Sequence, residues 1–354
     1  MVRAAPGTTG KKTVELPQMF SRYGTELTES LRSALSSRHN RVYDTLRYSM
    51  GWVDAEGKPT AASSGKALRP TLCLFASEAV GGSVERTMPA AVALEFIHNF
   101  SLIHDDIQDK DRTRRGRPTL WVVWGEPRAI VAGDTLRVVA DVSVEQLVEN
   151  GVPVPNALAT IEILTEAYLQ MIEGQYLDLE FESRHDIGIH DYLDMISRKT
   201  GALIRCALEM GALLGTDESG TVAAFRQFGR SLGFVFQIRD DVLGVWGDPE
   251  KTGKPVGADI RRKKNSLPVV HALNEASGVD AKLLRDVYSK ETLSDGDVAS
   301  VLDVMERIGT REYAQGLAEA HCVDALRAMD KVEISREMRG DIEHLAEFLL
   351  VREH

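Results

Sequence analysis

Residues 102–119 read LIHDDIQDKDRTRRGRPT, a run of aspartates at the end of an apolar stretch, followed at once by arginines. On a helix Asp105 and Asp109 lie one turn apart on the same face, with Asp106 beside them. Like charges at that spacing repel, and burial gains nothing unless a cation neutralises them. A second acidic pair, Asp240 and Asp241, closes the apolar run in GFVFQIRDDVLGVWGDPEKTGK (233–254). Two such pairs, each at the end of an apolar helical stretch, read as facing walls of one cavity. Oxygen ligands favour Mg²⁺ over zinc, and Mg²⁺ takes one or two carboxylates, several waters and a substrate phosphate.

The basic residues complete a diphosphate clamp. Arg114 and Arg115 offer planar forks suited to phosphate oxygens, and Lys199, Lys254, Lys263 and Lys264 offer point charges. Taken singly, each feature has an ordinary explanation. An acidic helix face is commonly solvated. RTRRGR fits an exposed turn, His98 and His104 fit satisfied core histidines, and Trp121 and Trp124 fit packing residues. The joint occurrence of two acidic pairs, each trailed by phosphate-type cations, is what points to a metal and diphosphate site at the mouth of an apolar cavity.

Around this site the chain reads as helix. In residues 156–181 apolar side chains recur every three or four positions, and Ile334, Met338, Ile342, Leu345 and Leu349 form a stripe near the end. Period-two alternation is nearly absent. Gly, Pro, Asp and Ser mark breaks at 52–65, 81–89, 114–118, 150–155, 183–191, 215–220 and 247–259. About ten helices fit between them, with no internal repeat. The expectation is a short flexible tail at residues 1–13 and a single all-α bundle over 14–354.

Composition bounds the function. The formal charge of −11 argues against a nucleic-acid partner, and 43% hydrophobic with 27% charged residues is a globular profile. No apolar run approaches the roughly 18 residues that cross a bilayer, so stable membrane insertion is not expected. Cys73, Cys206 and Cys322 sit apart in apolar contexts and read as buried free thiols of a cytoplasmic protein.

The ordered motifs resemble those of the trans-isoprenyl diphosphate synthases, the polyprenyl synthetases, from about residue 64 to about residue 274. LEFIHNFSLIHDDIQDKDRTRRGRPT (94–119) is similar to the first aspartate-rich motif with its arginine pair. FQIRDDVLGVWGDPEKTGKPVGADI (236–260) is similar to the second. GKALRP (65–70), GQYLDL (174–179) and KTGALI (199–204) resemble the three motifs that accompany them. The resemblance implies an all-α isoprenoid synthase type I fold around a central apolar cavity, a homodimer, and two or three Mg²⁺ ions. It implies head-to-tail condensation of isopentenyl diphosphate with an allylic diphosphate, whose carbocation alkylates the isopentenyl double bond before a proton is lost. By that resemblance Asp105 and Asp109 hold metal from one side and Asp240 from the other, with Asp106 and Asp241 in support. Arg114, Lys199, Thr200, Gln237, Lys254 and Lys264 meet the allylic diphosphate. Lys66, Arg69, His98 and Arg115 hold isopentenyl diphosphate without metal.

The sequence departs from the family pattern in three places. Gly244 stands where many members carry a further aspartate, Ser64 where a glycine is usual, and Ala67 where a basic residue is usual. Phe100, five residues before Asp105, points down the same wall as a floor for the growing chain, whereas Ser101 is small. That pairing resembles makers of geranylgeranyl diphosphate first and farnesyl diphosphate next. A class I terpene cyclase on the same fold and a non-catalytic subunit of a prenyl synthase remain open at this point. A cyclase has no use for Lys66, Arg69 and His98 together, and a non-catalytic subunit has no reason to keep both acidic pairs.

Overall fold

The computed structural model describes residues 15–60, 65, 67–182, 184 and 186–353. The N-terminal tail expected at 1–13, Ser64 and Lys66 lie outside them. Ten of the described helices run to twelve residues or more, as the periodicity predicts, and shorter helices fill several connections. The only described sheet is a two-stranded hairpin, Thr113–Arg114 against Arg117–Pro118. Its turn residues, Arg115 and Gly116, both have positive φ.

The helix Ala202–Gly215 forms the axis. Ten of its fourteen residues are buried, the pattern of a helix covered on every side. It packs against Leu68–Ala79, Val154–Phe181 and Ser219–Trp246, while Val84–Gln108 packs against Leu68–Ala79 and Glu126–Glu149. Glycines set the closest approaches. A Cβ on Gly211 would stand 2.1 Å from the Cys73 carbonyl oxygen, so Ala202–Gly215 and Leu68–Ala79 approach backbone to backbone. Arg22 pairs with Asp341 at 2.8 Å and with Glu78 at 3.2 Å, which brings the first and last helices together.

Two breaks expected from composition are helical instead. Over 81–89 the chain turns only as far as Ser83, whose Oγ accepts from the Arg86 N–H at 3.3 Å and starts the helix at Val84. Pro89 lies inside that helix. Its missing N–H would have satisfied the Glu85 carbonyl, which accepts instead from Asn150 Nδ2 at 3.4 Å. Over 247–259 the loop is interrupted by the short helices Pro249–Thr252 and Ala258–Arg261. Among the described residues no helix is long and apolar enough to cross a membrane.

Candidate active site

The two acidic stretches lie in the C-terminal parts of the helices Val84–Gln108 and Ser219–Trp246, and both contribute to the lining of a cavity of about 660 Å³. Asp105, Arg114, Lys199, Thr200, Gln237, Asp240 and Lys264 line one part of it. Arg69 and His98 line it as well, and Phe100, Ser101, Met171 and Ile172 supply an apolar wall. Phe100 is buried and meets His104 edge to face at 4.9 Å. The expected floor residue therefore does lie on the cavity wall.

The acids divide by role. Burial pushes the Asp105 carboxyl up to about 6; Lys199 and Arg114 pull it down, and Asp109 and Asp178 push it further up. Asp109 caps its helix in an exposed position outside the cavity lining; burial of its carboxyl and the Asp178 charge raise it against Lys199. Asp106 turns away toward the hairpin, where it accepts from Arg114 Nε at 2.7 Å. Asp241 is buried and accepts from three donors, the Tyr192 hydroxyl, the Leu267 N–H at 2.9 Å and Gln237 Nε2 at 3.0 Å. Asp106 and Asp241 are thus held by neighbouring donors, while Asp105, Asp240 and Asp241 all line the cavity.

The cations sit opposite. Lys199 and Thr200 ride on a π-helical turn, Ser197–Gly201, a local bulge of the kind found at functional sites. A Cβ on Gly174 would lie 2.2 Å from the Lys199 amide nitrogen, so the glycine of GQYLDL makes room for that turn. Lys199 Nζ meets Asp178 Oδ2 at 2.5 Å, and Thr200 Oγ1 donates to Gln237 Oε1 at 2.7 Å. Lys264 Nζ stands 4.0 Å from Asp241 Oδ1. Burial lowers the pKa of Lys264, but the charges of Asp241, Asp259, Asp178 and Asp240 outweigh it and hold the ammonium firmly protonated. Lys254 is exposed on the loop after Pro249–Thr252 and does not line the cavity.

Arg69 and Arg115 form a second cationic group, with His98 within electrostatic reach of both. A Cβ on Gly65 would stand 2.6 Å from Arg115 Nη2, so the Arg115 side chain of the hairpin turn lies against Gly65. Burial lowers Arg69 to about 10, with Glu95 and Asp240 opposing, and burial with the neighbouring guanidiniums keeps His98 neutral.

Several working residues escaped the sequence reading. Asp178 lies within the quoted GQYLDL motif, yet its pairing with Lys199 is a tertiary fact. Glu95 carries one buried carboxylate oxygen without a partner and lies within electrostatic reach of Arg69 and Arg115. Arg262 joins Asp111 at 2.8 Å, which links the loops after the two acidic stretches. The departure at Gly244 also has a cause. A Cβ there would fall 2.2 Å from Asp259 Oδ2, so a carboxylate from a different helix fills the space an aspartate side chain would enter. His104 bonds the Ile130 carbonyl at 3.2 Å, the Trp121 indole donates to the Asp111 carbonyl at 2.8 Å, and Trp124 packs on Tyr48. Trp121 and Trp124 are thus in packing contacts, whereas His104 also lines the cavity.

Among the described residues no three His, Cys, Asp or Glu side chains converge closely enough to hold an ion unaided. Hard carboxylate oxygens on two facing walls, with cations behind them, do fit Mg²⁺ shared with a diphosphate. Residues 51–305 match the family described as Polyprenyl synthetase. The (2E,6E)-farnesyl diphosphate synthase of Mycobacterium tuberculosis is 35% identical over 92% of this chain and 90% of its own length. The geranylgeranyl diphosphate synthase of the same organism is 37% identical over 86% and 88%. The crystal structure of a polyprenyl synthetase from Streptomyces coelicolor A3(2) superposes with a TM-score of 0.86 at 36% identity, covering 94% of this chain and 98% of that one.

Proposed function

The chain belongs to the polyprenyl synthetase family, and on that premise we propose that it condenses isopentenyl diphosphate with an allylic diphosphate to give a short-chain trans-prenyl diphosphate. It is a prenyltransferase of the all-α isoprenoid synthase fold. The observation that carries the reading is one cavity lined by residues of both acidic stretches, Asp105 and Asp240, together with Lys199, Lys264, Arg114, Arg69 and His98.

In this reading Lys199, Lys264, Arg114 and the Thr200–Gln237 pair hold the allylic diphosphate, and Asp178 keeps Lys199 aimed at it. Asp105, Asp109 and Asp240 would hold Mg²⁺, which when bound would supply positive charge to the departing diphosphate. Arg69, His98 and Arg115, with Lys66, hold isopentenyl diphosphate so that its double bond points at the allylic carbon. Neutral His98 donates a hydrogen bond without adding charge. The apolar wall around Phe100 and Met171 shields the allylic cation from water. Lys254 joins when its loop closes. A terpene cyclase would leave the second cationic group without a purpose.

Phe100 sets the length, and geranylgeranyl diphosphate is the main product, farnesyl diphosphate the next. The two relatives from M. tuberculosis bear different product names at nearly equal identity, so identity does not choose between them. We take residues 14–354 as one domain, supported by the Arg22–Asp341 pair, and the working form as a homodimer, supported by the exposed Ile130, Val131, Val138, Leu158, Ile172 and Tyr176 on two adjacent helices. Buried free Cys73, Cys206 and Cys322 fit a cytoplasmic setting. The test is mass spectrometry of products from purified protein with Mg²⁺, isopentenyl diphosphate and dimethylallyl, geranyl or farnesyl diphosphate. A C20 diphosphate formed only when both partners are present supports the reading. Hydrocarbons or alcohols from an allylic substrate alone, or no product at all, would overturn it.

A further inference from the structure

The segment after the helix Arg336–Val351 lies across the second acidic helix, and its contacts bear directly on Asp240. Arg239 Nε donates to the Arg352 carbonyl at 2.8 Å and Arg239 Nη2 to the Val351 carbonyl at 3.5 Å. Arg352 turns back along the helix. Its Nη2 meets Asp240 Oδ1 and the Phe236 carbonyl, the latter at 3.2 Å, and its guanidinium lies 4.2 Å from the centre of the Phe236 ring. The Arg352 side chain is only 8% exposed, and its Nε is buried without a partner. One residue further on, Glu353 pairs with Lys251 on the short helix of the loop that follows the second acidic motif.

A guanidinium keeps its proton in any protein environment, so Arg352 is a fixed positive charge on the carboxylate oxygen nearest to it. A divalent cation and a guanidinium on one carboxylate repel each other through a partly desolvated space. We propose that Arg352 is an internal counter-ion of Asp240, holding that carboxylate in the absence of metal and yielding it when a divalent cation binds, so that metal uptake loosens the Val351–Glu353 segment and its Lys251 tether. The inference rests on the reading of Asp240 as a metal-facing residue. Because coupling is reciprocal, whatever metal costs the segment, the segment costs the metal.

The experiment is an Mn²⁺ titration of the full chain, followed by electron paramagnetic resonance, for wild type, Arg352→Gln, Arg352→Lys and Asp240→Asn. Hydrogen exchange of the peptide ending at Glu353 is measured with and without saturating Mn²⁺. Arg352→Gln should bind Mn²⁺ roughly three- to tenfold more tightly, the range of a partly screened ion pair, and Arg352→Lys should stay near wild type. Mn²⁺ should speed exchange of that peptide in wild type and leave it unchanged in Arg352→Gln, where it is already fast. Unchanged or weaker Mn²⁺ binding in Arg352→Gln, or exchange in wild type indifferent to Mn²⁺, would overturn the proposal. Asp240→Asn separates this from the reading beneath it. If Asp240→Asn takes up Mn²⁺ as wild type does, the metal role of Asp240 fails first; if it binds less and Arg352→Gln is unchanged, only the counter-ion role falls.

Discussion

Replacing Asp105 with asparagine should abolish turnover and, in the metal-free protein, raise stability. The Asp105 carboxyl is pushed up to about 6 from a usual value near 3.8, first by burial and then by Asp109 and Asp178. A raised carboxyl binds its proton more readily in the folded chain than in the unfolded one, so stability falls as pH rises from about 4 to about 6 and the full penalty stands above that window. A shift of about two units corresponds to about 3 kcal/mol, and partial solvent screening brings the expected gain to about 1–3 kcal/mol. With an unfolding entropy of about 2.1 cal/mol/K per residue, that gain moves the melting temperature by about 1–4 °C. Scanning calorimetry in chelator at pH 7.5 and pH 5.0, with turnover measured in parallel, is the assay. Asp105→Asn should melt higher than wild type at pH 7.5, and the gap should shrink to about half at pH 5.0, closing only below about pH 4, where the unfolded-state carboxyl is protonated as well. A variant less stable at pH 7.5, or a gap independent of pH, would refute the reasoning that burial and acidic repulsion are stored at this position for a cation.

Phe100→Ala removes the ring from the cavity wall and should lengthen the product by one or more five-carbon units; an unchanged product ladder on mass spectrometry would place the floor elsewhere. Lys199→Met leaves Asp178 without its 2.5 Å partner and removes a cation from the leaving group, so kcat should fall about 10²- to 10³-fold with the fold retained by circular dichroism. Gly244→Asp should not improve the site, because its Cβ would meet the Asp259 carboxylate at 2.2 Å; a loss of about 2–4 kcal/mol in urea unfolding is expected. Arg115→Gln should raise KM for isopentenyl diphosphate while leaving KM for the allylic substrate nearly unchanged, a split that steady-state kinetics reads directly.

Much of the architecture was legible because helix formation is local. Asp105 and Asp109, or Ile342, Leu345 and Leu349, announce a shared helix face through spacing alone, and that face needs no partner to be recognised. The misreadings have local causes too. Pro89 reads as a break because proline removes a helical donor, and the distant Asn150 that supplies a replacement for the Glu85 carbonyl is invisible at residue 89. The loop from 247 to 259 reads as irregular because helices of four residues leave no periodic trace.

The site divides along the same line. Residue types and order were enough to identify acidic pairs, phosphate-type cations and a ring set above the first aspartate, because charge and size belong to each residue by itself. Which acid faces the cavity and which is consumed by its neighbours was decided only by folding. Asp106, on its helix, is held by Arg114 of the hairpin eight residues on, but Asp241 is held by Tyr192 and Leu267 on two other helices, and Asp240, while lining the cavity, also meets Arg352 more than a hundred residues away. Those partners are chosen by which helix ends the packing brings together. No spacing rule along the chain encodes that choice, so the sequence determined the chemistry available and the tertiary structure determined its assignment.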